Sequence, residues 1–191
     1  MRRTFLIGGT AALVTLAFSR ASHAEAVRRI SLKHSGTGAR FDGIWYSGDA
    51  PDPEAMSDLS AALADEGCNP PKAFDPDIVS IVWEVAARTR LGTTLDVHSG
   101  YRTPRVNRMV HGAGDSQHLH AMAMDLGVPS GRLPAVSEAA RKLARGGVGV
   151  YRRRHFVHLD SGPVRTWSDG GGRGFRDDRL TRIAEAWRLG Q

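Results

Sequence analysis

Cysteine is nearly absent from this sequence: Cys68 is the single cysteine in 191 residues. One thiol cannot form an intramolecular disulfide, so the class of small disulfide-stabilised domains is excluded. A cysteine hydrolase remains an alternative, but Gly67-Cys68-Asn69-Pro70-Pro71 is typical of a loop and contains no nucleophile motif. We therefore interpret Cys68 as a shielded thiol without a catalytic role.

The sequence also lacks an apolar run that would span a bilayer comfortably. Residues 6–18 are apolar apart from glycine and threonine, and they lie between the basic start Met1-Arg2-Arg3 and the small residues of Ser22-His23-Ala24. This layout is typical of a secretory signal that is cleaved after Ala24, and Arg2-Arg3-Thr4-Phe5-Leu6 resembles a twin-arginine export signal. We expect residues 1–24 to be removed, leaving a periplasmic protein without a stable membrane anchor. An uncleaved N-terminal anchor is the alternative.

No basic stripe with interleaved aromatic residues is present, so nucleic-acid binding is not expected. The formal charge of the whole chain is +6, but residues 1–24 contain three arginines and no acid. The mature chain therefore carries a formal charge of +3. A mildly basic exported protein suits an anionic polymer as its substrate.

The spacing of apolar residues and turn signals predicts an α+β domain over residues 25–167, with a small antiparallel sheet flanked by helices. Two helices are expected to begin where an aspartate precedes a proline, at Asp52-Pro53 and Asp75-Pro76. Residues 168–191 form a tail rich in glycine and charge, expected to be mobile to residue 178 and to hold a terminal helix at 179–189. Strands are predicted at 30–34, 39–46, 93–98, 121–128, 149–151, 156–160 and 164–167, and helices at 52–66, 75–91, 134–145 and, as a short one, from residue 103.

One segment with unusual chemistry is Ser116-Gln117-His118-Leu119-His120-Ala121-Met122-Ala123-Met124-Asp125. Alternate residues of a strand share a face, so Ala121, Ala123 and Asp125 point one way and leave open space beside the carboxylate. His118 precedes the strand and can fold back over that space. The opposite, core-facing set is Met122, Met124 and Leu126.

A second segment, His155-Phe156-Val157-His158-Leu159-Asp160, follows later in the chain. The same parity places His158 and Asp160 on one face and directs Val157 and Leu159 to the core. If the two strands are neighbours, His118, Asp125 and His158 converge. Two imidazoles and one carboxylate leave a fourth tetrahedral position for water, as in catalytic zinc sites. The ordinary alternatives are surface histidines and a buried, hydrogen-bonded aspartate.

Ser116-x-His118-x-x-Ala121-x-Ala123-x-Asp125 resembles the first metal motif of the zinc D-alanyl-D-alanine carboxypeptidases and murein endopeptidases. This group also includes lysostaphin-type enzymes and the hedgehog signalling domain. Phe156-Val157-His158-Leu159-Asp160 is similar to the second motif, and Ser99-Gly100-Tyr101-Arg102-Thr103-Pro104 to an element before the first. Gly146-Gly147-Val148-Gly149-Val150-Tyr151 and Gly162-Pro163-Val164-Arg165-Thr166-Trp167 resemble flanks of the second motif in a bacterial branch, so the resemblance covers about residues 30–167.

The resemblance implies roles for individual residues. His118, Asp125 and His158 match the ligands of one zinc ion. Arg102 matches an arginine that binds substrate or stabilises the oxyanion, because a guanidinium offers two donors to a carboxylate or oxyanion. Ser116 matches a substrate-side hydrogen-bonding position. Independently of the resemblance, Asp160 lies two residues past His158 on the same strand face, where we expect it to orient a ligand.

The sequence departs from the family pattern at two positions. His155 stands where related peptidases have a glutamate general base, and an imidazole could accept the proton of the attacking water. Ala121 replaces the usual glycine, and His120 is interpreted as flanking the site. The implied function is a zinc peptidase acting on peptidoglycan stem peptides, as a D,D-carboxypeptidase or a cross-link endopeptidase. The alternative is a weak or inactive zinc-containing domain that binds peptidoglycan.

Overall fold

The fold is built on one eight-stranded sheet with strand order β3-β2-β1-β4-β5-β7-β6-β8. A computed structural model describes residues 27–169, so the predicted signal peptide and the predicted terminal helix lie outside the described part. Within residues 27–169, no helix has the length and apolar character needed to cross a membrane. Four α-helices accompany the sheet in this described part of the chain, and the predicted α+β class is confirmed.

The strands agree with the predicted positions within a few residues, apart from the added two-residue β3. Ser168, expected to begin the tail, instead ends the last strand. The strands are β1 Arg28–His34, β2 Arg40–Ser47, β3 Ala50–Pro51, β4 Leu95–Ser99, β5 Ala123–Gly127, β6 Gly147–Tyr151, β7 Phe156–Asp160 and β8 Arg165–Ser168. The helices are α1 Pro53–Ala62, α2 Pro76–Thr89, α3 Pro104–Met109 and α4 Leu133–Leu143, with 3₁₀ turns at Gln117–His120, Ser130–Arg132 and Arg152–Arg154.

The sheet is larger and more mixed than the small antiparallel sheet that we predicted. β1 pairs with β4, and β6 pairs with β8, in parallel. The remaining neighbours are antiparallel, including β5 with β7, where Asp125 lies opposite His158. The two motif strands are therefore direct neighbours near the centre of the sheet, as the sequence interpretation required.

The predicted helix starts are confirmed by their caps. The Asp52 carboxylate accepts a hydrogen bond from the backbone N–H of Ala55 at 2.8 Å, and Asp75 accepts one from Asp77 at 3.0 Å. Each cap is followed by proline at the first helical position, where a missing N–H costs nothing. These local signals set where α1 and α2 enter the fold.

The core lies on the side of the sheet that α2 and α4 cover. Met124 and Leu126 of β5, with Val157 and Leu159 of β7, are fully buried there. Each such side chain contributes about 1.5–3 kcal/mol by leaving water. Met122 was also predicted to face the core, but it lies before β5 and is only half-buried. Since strand residues alternate in direction, the polar members of β5 and β7 project from the opposite face.

Candidate metal centre

Three buried side chains converge on the polar face of β5 and β7. His118 Nε2 lies 3.2 Å from His158 Nδ1 and 3.3 Å from Asp125 Oδ1. His158 Nδ1 lies 2.8 Å from the same carboxylate oxygen. These three residues are the predicted metal ligands. Among the histidine, cysteine and acidic residues of the described chain, they form the one cluster whose donor atoms lie close enough together to hold a metal ion.

The donor spacing fits zinc. A tetrahedral zinc ion bound at 2.0–2.1 Å requires its ligand atoms to lie about 3.3 Å apart. Two of the three separations match that value, and the third is shorter by half an ångström. Two imidazole nitrogens and a carboxylate oxygen are also the ligand types that zinc prefers at catalytic sites. The three residues would hold the ion and leave a fourth position open.

His118 is fixed by the 3₁₀ turn at Gln117–His120. Its Nδ1 donates to the backbone carbonyl of Gly100 at 2.6 Å. A carbonyl oxygen can only accept, so Nδ1 carries the proton and Nε2 is the atom presented to the cluster. The turn ends at Ala121, whose φ of +54° is left-handed. Glycine adopts this conformation freely and alanine costs about 1 kcal/mol more, which gives a physical reason for the glycine of the motif that this segment resembles.

His158 is fixed from its far side by Asp160, the residue expected to orient a ligand. Asp160 Oδ2 lies 3.0 Å from His158 Nε2, so Nδ1 faces the cluster. Asp160 is fully buried and receives a two-pronged ion pair from Arg165, at 3.0 and 2.8 Å. The backbone N–H groups of Gly147 and Gly162 donate to its Oδ1 at 3.1 and 2.9 Å. Both oxygens of the Asp160 carboxylate thus have hydrogen-bond partners, and the carboxylate is held where it fixes the orientation of the His158 ring.

Close packing around Asp160 and Trp167 explains the glycines of the Gly146-Gly147-Val148-Gly149 segment. A Cβ at Gly147 would overlap the Asp160 carboxylate, and one at Gly146 would overlap the Asp160 carbonyl. A Cβ at Gly149 would lie 2.5 Å from the Trp167 ring. These three positions therefore lack a side chain because the chain there must approach β7 and β8 closely beside the metal centre.

The electrostatics keep the aspartates of this centre ionised. Burial alone would raise the pKa of Asp125, but His118 and His158 outweigh it and hold that pKa well below its usual range. Burial also opposes the charge of Asp160, whose pKa is nevertheless lowered by His158 and Arg165. Both carboxylates are consequently charged at neutral pH. In the metal-free protein the same pairing raises the pKa of His158 against the opposing effect of burial.

Arg102 lies beside the cluster and holds one of its ligands. Its Nη2 donates to Asp125 Oδ2 at 2.9 Å, and its Nε donates to the Ser99 hydroxyl at 2.7 Å and to Asp65 Oδ2 at 3.3 Å. The side chain is 13% exposed and lines the pocket above the cluster. Arg102 is therefore within the site, as predicted, and it also orients Asp125.

Asp65 is a member of this network that sequence reasoning missed. It was expected within α1, but α1 ends at Ala62, and Ala64 instead pairs with Tyr101. Asp65 then accepts hydrogen bonds from the Ser99 hydroxyl at 2.5 Å and the Gly100 N–H at 2.7 Å. Its partner on the other side is the buried His34, whose Nε2 lies 3.0 Å from Asp65 Oδ1. No local signal identifies Asp65, because its position depends on a long-range pairing.

The other predicted site residues lie at different places. Ser116 is half-buried and lines the pocket, consistent with a substrate-side position. His120 is exposed and does not join the cluster. Cys68 is buried, and its Sγ accepts a hydrogen bond from the Thr103 N–H at 3.2 Å, which agrees with a shielded thiol.

His155, expected as the general base, is not brought to the cluster. It is exposed, its φ is +54°, and its Nδ1 lies 2.9 Å from the Ser130 hydroxyl in a separate pocket. His155 stands an odd number of residues from His158 and precedes β7, so strand alternation does not place it on the face of the cluster. The structure therefore corrects this expectation: His155 does not line the site.

The cluster opens into a pocket of about 350 Å³. One wall is aromatic: the Trp167 ring lies 5.1 Å from the His158 ring, and Trp167 Nε1 donates to the Tyr151 hydroxyl at 2.9 Å. Tyr151 stacks on Phe156 with ring centroids 4.3 Å apart. In the sequence, Tyr151 and Trp167 could be identified only as members of motif flanks. The structure brings them to the metal centre.

A family model and several known proteins are similar to this chain. The family model Peptidase_M15_2, described as peptidoglycan L,D-endopeptidase MepK, matches residues 22–167. The probable peptidoglycan L,D-endopeptidase MepK of Haemophilus influenzae is 29% identical over 148 residues, which cover 73% of this chain and 78% of that protein. The peptidoglycan L,D-endopeptidase MepK of Escherichia coli K12 is 29% identical over 164 residues, which cover 83% of this chain and 90% of that protein. On the extent of the family match, this chain belongs to the MepK family of peptidoglycan L,D-endopeptidases.

Proposed function

We propose that this protein is a zinc-dependent peptidase that cleaves peptidoglycan cross-links, with L,D-endopeptidase specificity. The observation that carries the proposal is the convergence of His118, Asp125 and His158 at zinc-compatible spacing beneath an open pocket. The names of the relatives favour L,D-endopeptidase activity over the D,D-carboxypeptidase activity that the motifs also suggested.

The chemistry divides between the metal and the protein. When bound, zinc supplies Lewis acidity, which makes a water molecule ionise near neutral pH and polarises a carbonyl. Asp125 and the two histidines would hold the ion, and Gly100 and Asp160 fix the imidazole orientations. Arg102 contributes a fixed positive charge beside the cluster, where it can stabilise the developing oxyanion.

The remaining pocket residues supply substrate contacts and proton transfer. Ser116 offers a hydroxyl at the pocket edge for the substrate backbone. His155 has no role in this scheme because its ring lies outside the pocket. Apart from the metal ligands, the described pocket lining offers two imidazole or carboxylate proton acceptors, His111 and Asp115, both exposed at the edge. These two residues are the candidates for accepting the proton during hydrolysis.

The cellular setting follows from the substrate. Peptidoglycan lies outside the cytoplasmic membrane, so the enzyme must be exported, and the twin-arginine-like segment at residues 1–24 supplies a signal. The proposed mature protein begins at Glu25, acts in the periplasm and has peptidoglycan as its partner, with no role for nucleic acid. Its net positive charge of +3 favours association with the anionic polymer.

A zinc-containing domain that binds peptidoglycan without cleaving it is the second candidate. The position of His155 favours it, because the residue at the family's general-base position does not reach the site. Both candidates require the same metal centre and the same pocket. They differ in turnover alone.

Incubation of the mature protein with purified cross-linked muropeptides separates the two candidates. We expect liquid chromatography with mass spectrometry to detect monomers cut at the L,D cross-link, with the activity abolished by chelation and restored by zinc. Binding without products in the zinc-loaded protein would establish the second candidate. Full cleavage after chelation would contradict the metal-dependent mechanism, and products cut at a D,D bond would contradict the assigned specificity.

A further inference from the structure

The pocket contains one arginine that the metal centre does not use. Three arginines line the pocket: Arg102, Arg154 and Arg165. Arg102 is paired with Asp65 and Asp125, and Arg165 is paired with Asp160. Arg154 forms no ion pair or hydrogen bond with any residue in the range 27–169 and is exposed at the pocket mouth. Its guanidinium donors are therefore available to a ligand.

Aromatic rings hold Arg154 in place. The guanidinium carbon lies 4.9 Å from the centre of the Tyr151 ring and 5.1 Å from that of Phe156. Cation–π contacts of this kind restrain the guanidinium without pairing its N–H groups with a hydrogen-bond acceptor. Tyr151 is itself tied to Trp167, which lies against His158. A continuous aromatic wall thus connects the metal ligand to Arg154.

The preferred ligand follows from this chemistry. A preorganised guanidinium with free donors selects a planar anion, and a carboxylate suits it because it can accept two parallel hydrogen bonds. Two aromatic side chains separate Arg154 from His158, so the anion belongs to a part of the substrate next to the bond that is cut.

We propose that Arg154 is a specificity-determining residue that binds a free carboxylate of the substrate peptide, held for this purpose on the Tyr151–Phe156 stack. The proposal rests on the proposed function, because that function supplies the peptide. Stem peptides carry such carboxylates on the side chain of their diamino diacid and at the chain terminus. On this proposal, one of these carboxylates lies beside the bond that is cut.

A comparison of three cross-linked muropeptides tests the proposal: one with free carboxylates, one amidated on the diacid side chain and one amidated at the chain terminus. Arg154→Gln should lower kcat/KM about tenfold on the free substrate, the size expected for a charge-assisted hydrogen bond at a partly exposed site. One of the two amidated substrates lacks the carboxylate that Arg154 binds. On that substrate, the variant and the wild type should have equal kcat/KM, which identifies the carboxylate. Arg153→Gln, in the same 3₁₀ turn but outside the pocket, is the matched control and should behave as wild type.

Calorimetric binding of the same muropeptides to the zinc-loaded proteins provides a readout that does not require turnover. If the wild type binds without cleaving, and Arg154→Gln weakens binding of the free form about tenfold, the carboxylate site stands although the proposed enzyme activity fails. An equal loss on all three substrates, or no loss on any, overturns the role of Arg154. If the wild type cleaves the substrate and either of those two results is found, the role of Arg154 is overturned and the peptidase function stands. If the wild type neither cleaves nor binds the muropeptides, both the peptidase function and the role of Arg154 are overturned.

Discussion

Replacing Arg102 with glutamine should lower kcat/KM on cross-linked muropeptides by about 100-fold or more. Removing one donor that stabilises an oxyanion typically costs two to three orders of magnitude. Glutamine also removes the positive charge that holds Asp125 Oδ2 at 2.9 Å, which loosens a metal ligand. Steady-state rates measured at saturating zinc separate the loss of transition-state stabilisation from weaker metal binding.

Two further variants sharpen this prediction. Arg102→Lys keeps the charge but cannot reproduce the contacts to Asp125, Ser99 and Asp65 together, so it should recover only part of the activity. Arg105→Gln, an exposed arginine in α3, is the matched control and should retain wild-type rates. A wild-type kcat/KM in Arg102→Gln would remove Arg102 from the mechanism.

Replacing Asp160 with asparagine should weaken zinc binding by about 10- to 100-fold, the usual range for losing a hydrogen-bonding partner of a metal ligand. The amide retains the shape of the carboxylate but cannot satisfy both His158 Nε2 and the two nitrogens of Arg165. Folding should also become less stable by about 2–3 kcal/mol, below the usual range for a broken buried pair because the Arg165 side chain is 40% exposed. Competition with a zinc chelator and chemical denaturation measure the two effects.

Asp96→Asn is the matched control for Asp160→Asn. Asp96 is an exposed strand residue on β4, and its replacement should leave zinc affinity and stability unchanged. Unaltered zinc affinity in Asp160→Asn would contradict the assignment of Asp160 as the group that orients His158. A loss of stability alone would reduce its role to that of a buried structural ion pair.

The parts of the site that follow from strand alternation could be predicted from sequence. Alternation placed Asp125 and His158 on the polar face and Val157 and Leu159 in the core, and the structure has both arrangements. The helix starts were equally accessible because an N-cap and the following proline act locally. The convergence of His118 with the two strands followed from the local pattern only on the condition that the strands are neighbours, and the family resemblance implied the ligand set.

What escaped prediction depends on contacts between distant segments. Asp65 enters the network because Ala64 pairs with Tyr101 and the helix stops early, which α1 alone does not encode. The parallel pairing of β1 with β4 is likewise set by the arrangement of the whole sheet. His155 was assigned by its motif position, but its left-handed backbone turns the ring towards Ser130.

The bound metal of the mature protein, quantified by elemental analysis beside two histidine variants, tests the central claim most directly. We expect about one zinc per chain in the wild type, because the cluster offers one set of three ligands. Zinc should be lost in His118→Ala and retained in His120→Ala, since His120 lies close in sequence but is exposed and outside the cluster. Absence of metal from the wild type even after zinc is supplied, or equal zinc in all three proteins, would contradict a metal centre at His118, Asp125 and His158.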